Sequence, residues 1–154
     1  MKVLKVKTLN MPFEILLVED NIGDVELIKE FFNDVEIKIN LHVTVDGEEA
    51  SQFLCHEGKF LGSPRPNIII LDWNLPKKSG SEVLKEIKNN DNLKNIPVII
   101  LTTSNAEKDI FQAYDLHANA YLVKPIDFDE FMAIIKSIEH FWLRTVTLST
   151  NKAL

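Results

Sequence analysis

A single cysteine, Cys55, stands in the 154 residues, so no disulfide can close within the chain. It lies in an apolar pattern with no Lys, Arg or metal-like cluster beside it, the setting of a packed core or helix-face thiol rather than a reactive one. Long apolar runs are also missing. No stretch approaches the roughly 18 residues needed to cross a bilayer. The start, MKVLKVKTLN, has lysines but no apolar block of the kind a secretory signal needs. Nor is there a run of five or more lysines and arginines. With a net charge of −6, this argues against a partner held mainly through its phosphate backbone. We therefore expect no membrane segment, no nucleic-acid partner and a cytoplasmic protein.

What is present is a globular profile, 45% hydrophobic and 26% charged, in the length of one ordinary domain. FEILLV (Phe13–Val18) reads as a strand closed by acids. DVELIKEFFND follows with Val25, Ile28 and Phe32 on one helical stripe. INLHVTV alternates Leu41, Val43 and Val45 as a strand does, and Glu48 to Glu57 reads as a second helix. The run Ile68–Leu71, the helix of Val83, Leu84 and Ile87, and the strand IPVIILTTS come next. AEKDIFQAYDLH reads as helix, AYLV as strand, and DFDEFMAIIKSIEHFWL as the longest helix. Five strands thus alternate with five helices. Three of the strands are unbroken aliphatic runs, as expected when both sheet faces are covered. The fold class is α/β, a doubly wound parallel sheet, whose ligands sit outside the carboxyl ends of the strands.

Polar residues gather at those ends: Glu19 and Asp20 after strand one, Asp72 after strand three, Thr102 to Ser104 after strand four, Lys124 after strand five. Any one acid there reads first as a helix N-cap, as Asp20 or Asn21 could be. The conjunction reads differently. Two carboxylates ~4 Å apart repel by roughly 4 kcal/mol at an effective dielectric near 20. Three acids with one ammonium therefore call for a cation, and oxygen-only donors suit Mg²⁺ or Mn²⁺. Such a cleft fits metal-assisted phosphoryl chemistry. The P-loop and dinucleotide glycine motifs are both absent, and Glu19 and Asp20 would repel a bound nucleotide or flavin phosphate.

Glu19-Asp20, Asp72 in LDWNLPKKSG, Thr102 in ILTTS and the VKP of Val123–Pro125, in this order at these strand ends, resemble the receiver domain of two-component response regulators. The resemblance covers about residues 13–142, leaving 1–12 and 143–154 as extensions, with no output domain expected. It implies a flavodoxin-like sheet in the order 2-1-3-4-5. It also implies that Asp72 is the phosphoacceptor for a sensor histidine kinase. Asp20, Asp72 and the Asn74 backbone carbonyl would ligate Mg²⁺ (or Mn²⁺), and Glu19 would hold a metal-bound water. Lys124 and Thr102 would contact the phosphoryl group, and Tyr121 would be the aromatic partner of the Thr102 switch. The Lys124–Pro125 bond is a candidate cis peptide.

Trp73, Ser79 and Thr103 depart from the residues commonest at their places, and Glu19 replaces the commoner aspartate. AEKDIFQAYDLHANAYLVKP and IEHFWLRTVTL are similar to the small receivers that pair with bacterial phytochrome kinases, which form dimers. Phe141, Trp142 and Leu143 are accordingly candidate dimer contacts, against the plainer reading that they close the core. Two other functions stay open. One is a small Mg²⁺-dependent phosphatase with an aspartyl-phosphate intermediate, although Asn74 occupies the place where such enzymes want a second acid. The other is a pseudo-receiver that docks partners without phosphorylation.

Overall fold

The sheet is centred on a strand that is buried at every residue. In the computed structural model, which describes residues 11–149, β3 (Ile68–Leu71) is buried along its whole length. β1 (Phe13–Val18) and β4 (Val98–Thr102) flank it, and β2 (Ile39–Thr44) and β5 (Ala120–Val123) form the edges. All pairings are parallel, in the order β2-β1-β3-β4-β5. The aliphatic runs fall in the three inner strands because residues there must satisfy an apolar layer on each face.

Alternation along each strand divides the core in two. Ile15, Leu17, Ile68, Ile70, Ile99 and Leu101 face α1 (Ile22–Asn33) and α5 (Phe128–Ile138), which bury Val25, Ile28, Phe32, Phe131, Ile135 and Ile138. Leu16, Val18, Ile69, Leu71, Val98 and Ile100 face the other helices, α2 (Gly47–Cys55), α3 (Gly80–Lys88) and α4 (Glu107–Asp115). A fully buried side chain such as Ile28 or Leu84 contributes about 1.5–3 kcal/mol through its removal from water.

Two sequence expectations change. The fifth helix is not a single long α-helix: α5 ends at Ile138 and the chain continues as a π-helical segment, Glu139–Thr145. The wider turn brings Glu139 and Arg144 into an ion pair at 2.6 Å. Val45 does not extend the strand but is exposed beyond its end, while the preceding Thr44 is buried. Cys55 takes the helix-face place of its two expected settings, exposed on the last turn of α2, and the burial of part of its side chain, with Glu57 and Glu86 adding, raises its thiol pKa.

Candidate functional site

Four of the five strands deliver a polar residue to one sheet edge. In-register pairing puts Val18 beside Leu71, so Glu19 and Asp72 leave adjacent strands at the same level. Thr102 pairs with Val123, and the Lys124 N–H donates to the Thr102 carbonyl at 2.7 Å, which carries Lys124 over the same edge. Glu19, Asp20 and Asp72 converge, each offering a carboxylate oxygen within 4.8 Å of the others.

The capping explanation is settled residue by residue. Asn21 caps α1 by accepting from the Asp24 N–H at 3.0 Å. Asp46, Ser79 and Asp127 cap α2, α3 and α5. Neither Asp20 nor Asp72 caps a helix among the described residues, so both carboxylates remain directed to the cleft.

The Lys124 ammonium lies 2.6 Å from Glu19 Oε2, 3.0 Å from Asp24 Oδ2 and 3.4 Å from Asp72 Oδ2. Burial lowers the pKa of Lys124, but the Glu19 hydrogen bond and the charges of Asp72 and Glu19 outweigh it and leave the group firmly protonated. Glu19 is the acid most removed from water, at 1% exposure. Burial pushes its pKa up, with Asp72 adding to the effect and the Lys124 bond only partly opposing it, to about 7. The two Asp72 oxygens are differentiated: Oδ2 faces Lys124 and Oδ1 accepts from the Asn74 N–H at 3.3 Å. Four acids against one ammonium leave an excess of negative charge in a partly buried cleft. The donors are all oxygen, which fits a hard divalent cation held by Glu19, Asp20 and Asp72.

A tight loop holds Asp72 in place. A Cβ on Gly80 would lie 2.4 Å from the Asp72 carbonyl oxygen and 2.7 Å from the Trp73 Cα, so only glycine allows α3 to begin there. The Gly80 N–H donates to the Trp73 carbonyl at 2.9 Å. Gly47 makes a similar approach from the other side, its Cβ position 1.9 Å from the Lys78 carbonyl oxygen. Lys78 ties the loop to both helices through Glu86 at 2.8 Å and Ser51 at 3.0 Å. Trp73, bulky for its place, is absorbed into the core beside Leu71.

Thr102 is fully buried and its Oγ1 accepts from the Ser104 N–H at 3.4 Å. The Tyr121 hydroxyl donates to the Ser104 carbonyl at 2.9 Å, so Tyr121 is linked to the segment that follows Thr102. The Lys124–Pro125 peptide is trans, since the described residues contain no cis bond. The trans form, intrinsically the more favourable, already aims the ammonium at the acids. The three candidate dimer residues separate. Leu143 is buried in the α1–α5 core and Trp142 packs against it, leaving Phe141 as the one largely exposed.

Sequence reasoning missed Asp24. Its signal was place: Asp24 lies in the first turn of α1, immediately after the acids that close the first strand.

Comparison with known proteins follows the same lines. The family model described as "Response regulator receiver domain" matches residues 15–136. Response regulator Rcp1 of Synechocystis sp. is 48% identical over 139 residues, 90% of this chain and 95% of that protein. The probable methanogenesis regulatory protein FilR2 of Methanothrix harundinacea is 40% identical over 133 residues, 86% and 84% of the two chains. Among solved structures, the Mn²⁺-bound form of Rcp1 superposes with a TM-score of 0.88 at 47% identity, covering 90% of this chain and all of that one. The phosphorylated cyanobacterial phytochrome response regulator RcpA also gives 0.88, at 45% identity over 91% and 100%.

Proposed function

Since the chain belongs to the response regulator receiver domain family, we propose that Asp72 accepts a phosphoryl group from a sensor histidine kinase. One observation carries the reading. Asp72 is 7% exposed, with one oxygen on an ammonium and the other on a backbone N–H, beside two further acids. An Asp72 oxygen forms a bond to phosphorus as the P–N bond of the donor phosphohistidine breaks, its electron pair returning to the imidazole. The receiver itself does little covalent work, because phosphoryl transfer needs positioning and charge neutralisation above all. Glu19, Asp20 and Asp72, with the Asn74 carbonyl, would hold Mg²⁺ or Mn²⁺, which supplies positive charge to the oxygens of the phosphoryl group. Lys124 supplies the protein's own positive charge.

The output follows from the added group, which brings about −1.5 to −2 of charge and strong acceptor oxygens. Thr102 would turn its hydroxyl to that group, and the Tyr121–Ser104 hydrogen bond would be the contact that reorganises in response. Residues 13–142 form the receiver unit in this account, flanked by 1–12 and 143–154. No described helix is long and apolar enough to cross a membrane, and the proposed kinase partner places the protein in the cytoplasm. Similarity to RcpA supports a phytochrome-type kinase as that partner. Self-phosphorylation from small acyl phosphates and self-dephosphorylation are the only activities ascribed to the chain itself.

The test is the intact mass of the wild type and Asp72→Asn after incubation with Mg²⁺ and a small acyl phosphate. A gain of one phosphoryl mass in the wild type alone, abolished by chelator, is expected. A gain in both proteins would move the acceptor elsewhere. Steady turnover of a phosphate ester would instead favour a phosphatase. Kinase specificity is tested separately by comparing transfer rates from a phytochrome-type kinase and an unrelated one.

A further inference from the structure

We propose that Asp24 is a positioning residue that draws Lys124 away from Asp72 and so limits how strongly the ammonium can engage a group bound there. The inference rests on the phosphoacceptor reading above. It adds a residue that the three-acid cluster does not contain.

The geometry orders the three partners of Lys124. Glu19 is at 2.6 Å, Asp24 at 3.0 Å and Asp72 at 3.4 Å, so the ammonium is displaced towards the first strand and α1 and away from the acceptor. Asp24 is not a loose surface charge. Asn21 fixes its backbone by accepting from the Asp24 N–H at 3.0 Å, and its side chain is 25% exposed against 6% for that of Lys124. A phosphoryl group on Asp72 adds about −1.5 to −2 of charge and competes for the same ammonium. Charge attraction at these distances acts in a site largely screened from water, so removing one competitor transfers the ammonium to the other. A plainer role also exists for Asp24. An acid in the first turn of a helix interacts favourably with the helix dipole, and that role would not depend on Lys124.

The experiment measures the apparent affinity for beryllium trifluoride, a phosphoryl mimic, in saturating Mg²⁺. Intrinsic fluorescence is the readout, because Trp73 directly follows Asp72 and is buried. Asp24→Asn should tighten binding about threefold to tenfold, within the range of coupling between contacting charged groups. Asp24→Glu should restore most of the wild-type value. In a Lys124→Gln background the Asp24→Asn effect should fall to less than about twofold, the limit of additivity for uncoupled sites.

An equal gain in the Lys124→Gln background would overturn the inference, since Asp24 would then act by general electrostatics. Unchanged affinity in Asp24→Asn would overturn it as well. If Asp24→Asn weakened Mg²⁺ binding itself as much as Asp20→Asn does, Asp24 would be a ligand and not a positioning residue. Absence of any Mg²⁺-dependent adduct in the wild type would remove the phosphoacceptor reading, and the inference with it.

Discussion

Glu19 offers a test of the cleft's electrostatics that needs neither kinase nor phosphoryl donor. Its pKa rises from 4.5 to about 7 in the folded protein, first because it is buried and then because Asp72 faces it. Between those two values the folded state binds a proton that the unfolded chain has already released. Stability therefore falls as pH rises through this window, and levels off above it. At 1.36 kcal/mol per unit, the shift corresponds to about 3 kcal/mol across the window. Other carboxylates titrate nearby, so the quantity to read is a difference between two proteins. Wild type and Glu19→Gln should be unfolded with urea in chelator at several pH values from 4.5 to 8. The wild type should lose up to about 3 kcal/mol relative to the variant as pH rises, with most of the change below pH 7. Gln lacks the charged bond to Lys124, which offsets the two curves but does not give them a slope. A flat difference, or one that runs the other way, would refute the claim that burial outweighs the Lys124 bond at Glu19.

Other outcomes follow from single contacts. Gly80→Ala forces a Cβ to 2.4 Å from the Asp72 carbonyl; urea unfolding should show a loss of about 1–3 kcal/mol, and calorimetry a Mg²⁺ affinity lower by about tenfold. Thr44 Oγ1 is buried and has no hydrogen-bond partner among the described residues, so Thr44→Val should raise stability by about 1 kcal/mol, and a loss of that size would mean the hydroxyl is satisfied. Leu143→Ala should cost about 2–4 kcal/mol as a core truncation. Phe141→Ala, at an exposed site, should stay within about 0.5 kcal/mol of the wild type; equal effects at the two positions would contradict the placement of the π-helical segment.

How much of this was legible beforehand varies by kind of signal. The unbroken run Ile68–Leu71 announced a central strand because only burial on both faces tolerates four consecutive aliphatics. Asp72 stood out only in company: a lone acid after a strand reads first as an N-cap, and its meeting with Glu19, Asp20 and Lys124 at one sheet edge marked it. Helix ends were less legible. The pattern Phe131, Ile134, Ile135, Ile138, Phe141 reads as one continuous helix, yet an apolar stripe does not record whether each turn closes at i+4 or i+5. Asp24 was hidden for a related reason. An acid near a helix start is ordinary, and only the fold shows Lys124, a hundred residues later in the chain, reaching back to it. The purpose of Gly47 and Gly80, the close approach of two helix starts to the loop holding Asp72, depends on tertiary distances.

The central claim is that Asp72, and no other acid in the cleft, carries the phosphoryl group. Hydride reduction of an acyl phosphate converts the aspartate that bore it into homoserine. Protein treated with Mg²⁺ and acyl phosphate should therefore be reduced with borohydride, digested and sequenced by mass. We expect homoserine at position 72 alone, with residues 19, 20 and 24 unchanged. Homoserine at position 20 or 24, or a reduced glutamate at position 19, would contradict the account.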